Sequence, residues 1–291
     1  MTVVKKNDLG DKFELHLDVS GDDMTAIDLL AEHTDFSRQK IKQIMQQGAI
    51  WLTQGNYTKR IRRASKKLKV GQNLHLYYNA DILSQTHFKP ELIADEKQYS
   101  VWFKPAGMLS QGSKYGDHCA IHRWAETHIQ PQRNALPVHR LDKATSGLIL
   151  VAHSKKAAIA LAKLFSEHSI NKHYKALVHG TLAETTAIPL TIDEALDGRQ
   201  AITRIQGVDS QKNNCSLLDI QILTGRKHQI RQHLANIGHP IVGDRLYGSG
   251  IKDKRDLCLT AYKISFLSPF DQQNKHYELG NAYYPDFSPN K

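Results

Sequence analysis

Leu148-Ile149-Leu150-Val151-Ala152 is an unbroken apolar run, β-branched in part, and it reads as a buried strand. The rest of the chain must supply elements that cover it. Immediately ahead stands the polar turn Arg140-Leu141-Asp142-Lys143, with one carboxylate between two cations. A turn at the mouth of a core strand holds a side chain at the surface on a rigid support, as a reactive group requires. A solvated Arg–Asp pair leading into a strand has the same spacing, so the pattern alone leaves both readings open.

At 291 residues the chain can bury a substantial core and leave room for a second, smaller domain. No apolar run approaches the roughly 20 residues that span a bilayer, and Met1 to Lys6 lacks the apolar core of a signal peptide. Cys119, Cys215 and Cys258 are far apart, odd in number and without zinc spacing. Reduced thiols in a cytoplasmic protein are the expectation. His228, His233 and His239 have no acidic or cysteine partner at ligand spacing, so no metal is expected. No phosphate-cradling glycine loop is present, and no cofactor is implied.

Charge is unevenly placed. Lys and Arg number 39 against 29 Asp and Glu, a net +10. Ten cations fall between Phe36 and Ala80 with no acid among them. That concentration points to a polyanionic partner. Within it, Ser37 is placed to cap a helix through Gln47 whose Ile41, Ile44 and Met45 form one stripe, with Gly48 as the stop. Met24 to His33 reads as a preceding helix. Ala49 to Leu52 and Leu74 to Tyr78 read as strands. Arg38, Lys42, Arg60, Arg62 and Arg63 are the candidate phosphate contacts.

Asp81 to Lys97 lacks periodicity and reads as a linker. Beyond it, Ser100 to Phe103 is a strand ending in the turn Lys104-Pro105-Ala106-Gly107. Lys155 to His168 is a helix with Ala158, Ile159, Ala162 and Phe165 facing inward. Tyr174, Ala176 and Val178 form one face of a strand, as do Leu218, Ile220 and Ile222. A helix follows Thr224-Gly225-Arg226-Lys227-His228-Gln229-Ile230-Arg231, with Ile230, Leu234 and Ile237 buried. Leu257 to Phe266 is a closing strand, and the remainder is a loose tail.

His139-Arg140-Leu141-Asp142 with Ser146-Gly147, Lys172-His173-Tyr174, the quite specific Gly225-Arg226-Lys227-His228-Gln229-Ile230-Arg231 and the Lys104 turn, weak on its own, together resemble the RluA-type RNA pseudouridine synthases. Residues 12–80 resemble an S4 RNA-binding domain. Two departures stand out: Met108-Leu109-Ser110-Gln111 replaces the family's Val-His, and Lys227 replaces Thr or Ser. The resemblance implies an α+β fold in which flanking helices surround a mixed, mostly antiparallel central sheet with a cleft. It divides the chain into an S4-like α/β domain at 12–80, a linker at 81–97 and a catalytic domain at 98–291. It implies a cytoplasmic isomerase that needs no metal or cofactor. Its partner is structured RNA, ribosomal RNA before transfer RNA, and no membrane. Asp142 is then the catalytic carboxylate, Arg231 its ion-pair partner and Tyr174 the ring that stacks on the base. Arg140 fills the space the base vacates, and Lys104, His139 and Arg226 contact RNA. A non-catalytic RNA-binding or ribosome-assembly factor on the same scaffold is the alternative, although it has no need of Asp142, Tyr174 and Arg231 together. A tRNA synthetase-like reading lacks its His-Ile-Gly-His and Lys-Met-Ser-Lys-Ser elements.

Overall fold

The computed structural model describes residues 10–85, 88–182, 187–248, 250 and 254–287. The reading of Met1 to Lys6 and the end of the expected tail lie outside them. The chain forms two compact units, Met1–His87 with Gln111–Trp124, and Phe88–Ser110 with Ala125–Lys291.

The first unit opens with β1 (Lys12–Asp18), α1 (Ala26–His33) and α2 (Arg38–Gln46). Thr25 and Asp28 exchange the two bonds of a capping box, and Ser37 Oγ accepts from the Lys40 N–H, so both helices start where donors need partners. There follow β2 (Ile50–Gln54), β3 (Tyr57–Arg60), β4 (Asn73–Asn79) and the single turn α3 (Ala80–Leu83). The strands pair antiparallel in the order β1-β4-β2-β3. Ile27 and Leu30 of α1 join Ile41, Ile44 and Met45 of α2 and Leu74 and Leu76 of β4 in one core. Gly48 stops α2 at φ +84, where a Cβ would stand 2.4 Å from Asp117 Oδ1. Backbone conformation and close approach both call for glycine there.

In the second unit, β5 (Glu91–Asp95) and β6 (Tyr99–Lys104) come first. The division between the units falls inside α4 (Ile121–His128). Then come β7 (Leu136–Pro137), β8 (Ser146–Ala152), α5 (Lys155–Ser166), β9 (Ile170–His179), β10 (Leu190–Asp193), β11 (Ile202–Lys212), β12 (Cys215–Ile222), α6 (Gln229–Asn236), β13 (Leu259–Leu267) and β14 (Asn274–Glu278). The sheet order is β10-β11-β12-β9-β13-β8-β6-β5, with β7 on β8 and β14 on β13. Every pairing is antiparallel except β13 with β8. One apolar cluster gathers Leu141, Tyr174, Ile220, Ile230 and Leu234; another gathers Val101, Leu148, Leu150, Leu161 and Ile264. The α+β class and the mostly antiparallel sheet are as expected, and Leu148 to Ala152 is buried throughout.

Three expectations are corrected. Residues 81–97 are not a bare linker: they contain α3's end and β5, an edge strand paired with β6. The fully buried residues of α5 are Ala157 and Leu161; Ala158 and Phe165 pack against the same core as expected, but Ala162 is exposed and Ile159 is 72% exposed. The region after Phe266 contains β14, paired with β13 from Lys263↔Glu278 to Leu267↔Asn274.

Gly147 sits at φ +121 where β8 begins, and a Cβ there would lie 2.2 Å from the Ala261 carbonyl oxygen of β13. Gly147→Ala is expected to destabilise the chain by more than about 1 kcal/mol, measured as a lower urea midpoint with an unchanged m-value.

Candidate active site

Asp142 lies in the turn that feeds β8, and two short pieces of chain fix that turn from one side. Ser110 Oγ accepts from the Leu141 N–H at 2.9 Å and donates to the Leu141 carbonyl at 2.7 Å. The Gly107 N–H donates to the Lys143 carbonyl at 2.8 Å. Lys104 is fully buried, and its Nζ donates to the carbonyls of Pro105 and Met108 at 3.1 and 2.9 Å and reaches that of Lys143 at 3.4 Å. Burial pulls its pKa down to about 7, partly opposed by the charge of Asp142. Lys104 is therefore not a surface RNA contact: its ammonium is spent on backbone carbonyls that join two turns. Ser110, the other brace, falls within the stretch that departs from the family pattern.

The carboxylate borders a cavity of about 310 Å³. Tyr174 of β9 lines it beside Ile222 at the end of β12 and Leu259 at the start of β13, because alternate residues of paired strands share a face. Tyr174 is 8% exposed, and burial followed by the charge of Asp142 raises the phenol's pKa, so the ring stays neutral. The segment before α6 supplies Arg226, Lys227 and His228, and α6 itself supplies Ile230 and Arg231. His228 caps α6 in the left-handed region at φ +54. Its Nε2 lies 3.9 Å from Asp142 Oδ2 and its Nδ1 lies 3.1 Å from the Tyr247 hydroxyl. Burial lowers the His228 pKa, against the pull of Asp142.

Asp142, Tyr174 and Arg231 thus share one cavity, as the sequence expects. The direct pairing of Arg231 with Asp142 is corrected. Arg231 donates from Nε and Nη2 to the two carboxylate oxygens of Asp244, both at 2.7 Å. Asp244 also accepts from the Leu246 and Tyr247 N–H groups at 2.9 and 3.0 Å, and its side chain is wholly buried. Burial works against both charges, but the bidentate pair outweighs it. The Arg231 pKa is raised, with Asp142 contributing from beyond the pair, and that of Asp244 is lowered. Arg231 therefore acts on Asp142 as a fixed positive charge oriented by Asp244.

Arg140 is exposed and lines this cavity and the two that adjoin it. Arg226 donates from Nε to the Gln200 carbonyl at 2.9 Å and keeps a place on the wall. His139 packs its ring on Phe165 with centroids 4.3 Å apart, and its Nε2 accepts from the Leu150 N–H at 2.9 Å. Burial, then the charge of Lys172, lowers its pKa to about 3, so the ring is neutral. Its first role is to hold the lead-in to β8.

The basic residues of the first unit divide. Arg60 Nη1 and Arg62 Nη2 lie 3.2 and 2.5 Å from Asp117 Oδ2, and the Arg60 guanidinium also covers the Trp51 ring at 4.3 Å. These two arginines close an ion triad on the buried Asp117 rather than standing free for phosphate. The acid that partners them lies far outside the acid-free stretch, in the 111–124 segment. Arg38 pairs with Asp28 at 2.6 Å while remaining 65% exposed. Lys42 and Arg63 are exposed, with Arg63 donating to Ser65 at 3.2 Å.

A site with one carboxylate, bordered by cations of which Arg231 and Arg226 are held by hydrogen bonds, and a buried aromatic ring across a small cavity can hold a planar base and act at an adjacent bond as a nucleophile or a base. The family model for RNA pseudouridylate synthase matches residues 98–236. Among curated relatives, the tRNA pseudouridine synthase C of Vibrio cholerae is 29% identical over 63% of this chain and 87% of its own. The dual-specificity RNA pseudouridine synthase RluA of Pasteurella multocida is 33% identical over 63% of this chain and 89% of its own. An uncharacterised RNA pseudouridine synthase of Aquifex aeolicus is 29% identical over 88% of this chain and 89% of its own. Among solved structures, human RNA pseudouridylate synthase domain containing 1 aligns with a TM-score of 0.56 at 23% identity, covering 68% of this chain and 85% of that one, a likeness of fold.

Two outcomes are expected. Arg231→Met leaves the Asp244 charge buried and unpaired, and should cost about 3–5 kcal/mol in urea denaturation. Folded Lys104 sheds its proton near pH 7, whereas the unfolded chain holds it to about 10.4. Between these values the unfolded state binds more protons, so this residue makes stability rise with pH. Comparison of wild type with Lys104→Met at pH 7 and pH 9 should show the gap moving in favour of wild type at the higher pH.

Proposed function

The chain belongs to the RNA pseudouridine synthase family, and from that membership we propose that it isomerises specific uridines of structured RNA, ribosomal RNA in the first place, with Asp142 as the reacting carboxylate. The single observation that carries the residue assignment is that Asp142 faces Tyr174 across one cavity with Arg231 on its wall. In the reaction the C1′–N1 bond of uridine breaks, the uracil turns and a C1′–C5 bond forms. C5 loses a proton and N1 gains one, so substrate and product have the same atoms.

Each residue has a share in that sequence. The base leaves its stack at a cost of a few kcal/mol, and Tyr174 receives it on a ring held flat by β9. Arg140, exposed at the rim, takes the vacated space in the RNA. The Arg231–Asp244 pair keeps positive charge beside Asp142 through the reaction, because its guanidinium is oriented before substrate arrives. Lys104 and Ser110 keep the turn from moving as the base rotates.

Ribosomal RNA is favoured by the S4-like reading of residues 12–80, since a separate basic unit suits a large structured target. Lys42 and Arg63, exposed on that unit, are its proposed phosphate contacts, with Arg38 alongside. The relatives named for transfer RNA or dual specificity match over 63% of this chain. A relative with no named target matches over 88% of it. Action in the cytoplasm accords with Cys119, Cys215 and Cys258 forming no disulfide among the described residues. No helix among the described residues is long and apolar enough to cross a membrane.

Pseudouridine mapping of total RNA is the test, in cells with the wild-type gene, with Asp142→Asn and with the gene removed. One or a few sites should vanish in both altered strains, which names the RNA. An unchanged map, together with purified protein inert on RNA from the deletion strain, would overturn the reading. On the RNA so identified, Tyr174→Ala should lose base stacking and raise KM roughly 5- to 150-fold, the equivalent of about 1–3 kcal/mol.

A further inference from the structure

A second cavity of about 370 Å³ adjoins the Tyr174 cavity and shares Arg140, Tyr174 and Arg226 with it. His168 and Lys172 bring two more basic groups, and no carboxylate is found among the described residues that line it. Lys172 lies on β9 two residues before Tyr174, on the same face of the strand. Its Nζ is 3.9 Å from where a Cβ of Gly225 would stand, and nothing else comes within 4 Å of that point. The glycine thus leaves open space against the ammonium. The Lys172 ammonium makes no hydrogen bond or ion pair with the described residues, and burial pulls its pKa below the ordinary lysine value. The neighbouring His139 uses Nε2 as an acceptor, which leaves Nδ1–H as the donor of its neutral ring.

A partly buried cation without a counter-ion costs stability. The chain bears that cost beside its candidate active site, in a pocket walled by further cations, and an anion is what such a pocket selects. We propose that this cavity is a phosphate subsite in which Lys172, with Arg226, holds a backbone phosphodiester of the RNA next to the uridine that enters the Tyr174 cavity. The assignment rests on the RNA reading above and extends it: one wall takes the base and the adjoining wall grips the strand.

Binding, with no turnover required, provides the test. A 5′-labelled single-stranded oligomer of ten uridines is titrated with the full chain across a series of KCl concentrations and followed by fluorescence anisotropy. Lys172→Met should weaken binding about tenfold or more and reduce the log–log salt slope by about 0.7. Lys172→Arg should keep the slope. Lys163→Met, the same charge change at an exposed position of α5 outside the cavity, should keep it too. Without RNA, Lys172→Met should melt no lower than wild type, since the removed charge had no partner. A wild-type slope in Lys172→Met, or an equal loss in Lys163→Met, would overturn the subsite. On an oligomer whose internal phosphates are replaced with neutral methylphosphonates, wild type and Lys172→Met should bind alike. If only competing uridine 5′-monophosphate senses Lys172, the pocket takes a terminal phosphate and the backbone assignment is wrong. Loss of the pseudouridine reading with the Lys172 slope effect intact would leave the anion site standing, so the two failures are distinguishable.

Discussion

A buried lysine amine holds the Asp142 turn in place. Among the described residues no carboxylate is hydrogen-bonded to Lys104; three backbone carbonyls from two different turns accept from its Nζ instead. That choice matters because a carboxylate at this position would compete with Asp142 for the positive charges of the cleft. Carbonyls satisfy the ammonium and add no net charge. The Ser110 hydroxyl completes the joint by serving the Leu141 N–H and C=O together. The position of Asp142 is therefore set by main-chain geometry at the start of the most deeply buried strand, with little left to its own side-chain contacts.

The electrostatics follow the same division between holding and reacting. Asp244 is fully committed, accepting four hydrogen bonds from Arg231 and the backbone. Asp142 is left with a histidine 3.9 Å away and cations at a distance. Two acids in one neighbourhood thus have opposite fates: one is consumed in orienting an arginine, and the other stays available. His139 makes a comparable trade, since a ring kept neutral can accept from the β8 backbone where an imidazolium could not.

How much of this was legible in the sequence depends on range. The buried strand, the α2 stripe and its cap, and the strand faces of Tyr174 and Ile220 are local patterns of period 2 or 3.6, and they appear where the spacing puts them. Strand β5 was hidden because a register shift between Leu92 and Ala94 breaks its alternation and Leu92 faces solvent at 46% exposure. On α5, Ala158 and Phe165 were placed correctly, but Ile159 and Ala162 were taken for Ala157 and Leu161, because that helix has apolar side chains on neighbouring stripes and only its packing decides among them. The largest misses are pairings across long stretches of chain. Arg231 could be read as part of the site, but its partner Asp244 could not. Arg60 and Arg62 seemed free because Asp117 lies 55 residues beyond Arg62 in the chain. Lys172 stood in view inside the tyrosine motif, and only the cavity shows that it lacks an anion.

The order of strands has a consequence for how the protein comes into being. β13 lies between β9 and β8, with Ala261 opposite Tyr174 on one side and Gly147 on the other. The two strands bearing the site's floor and its turn are neighbours only through a strand near the end of the chain. During synthesis, which proceeds at roughly 5–20 residues per second, the first unit has all its pieces once Trp124 is made. The cleft has to wait until Leu267 has emerged. A nascent chain can therefore fold its basic unit well before it owns a reactive site, and any message cut short before β13 yields a protein whose Asp142 and Tyr174 have no common wall.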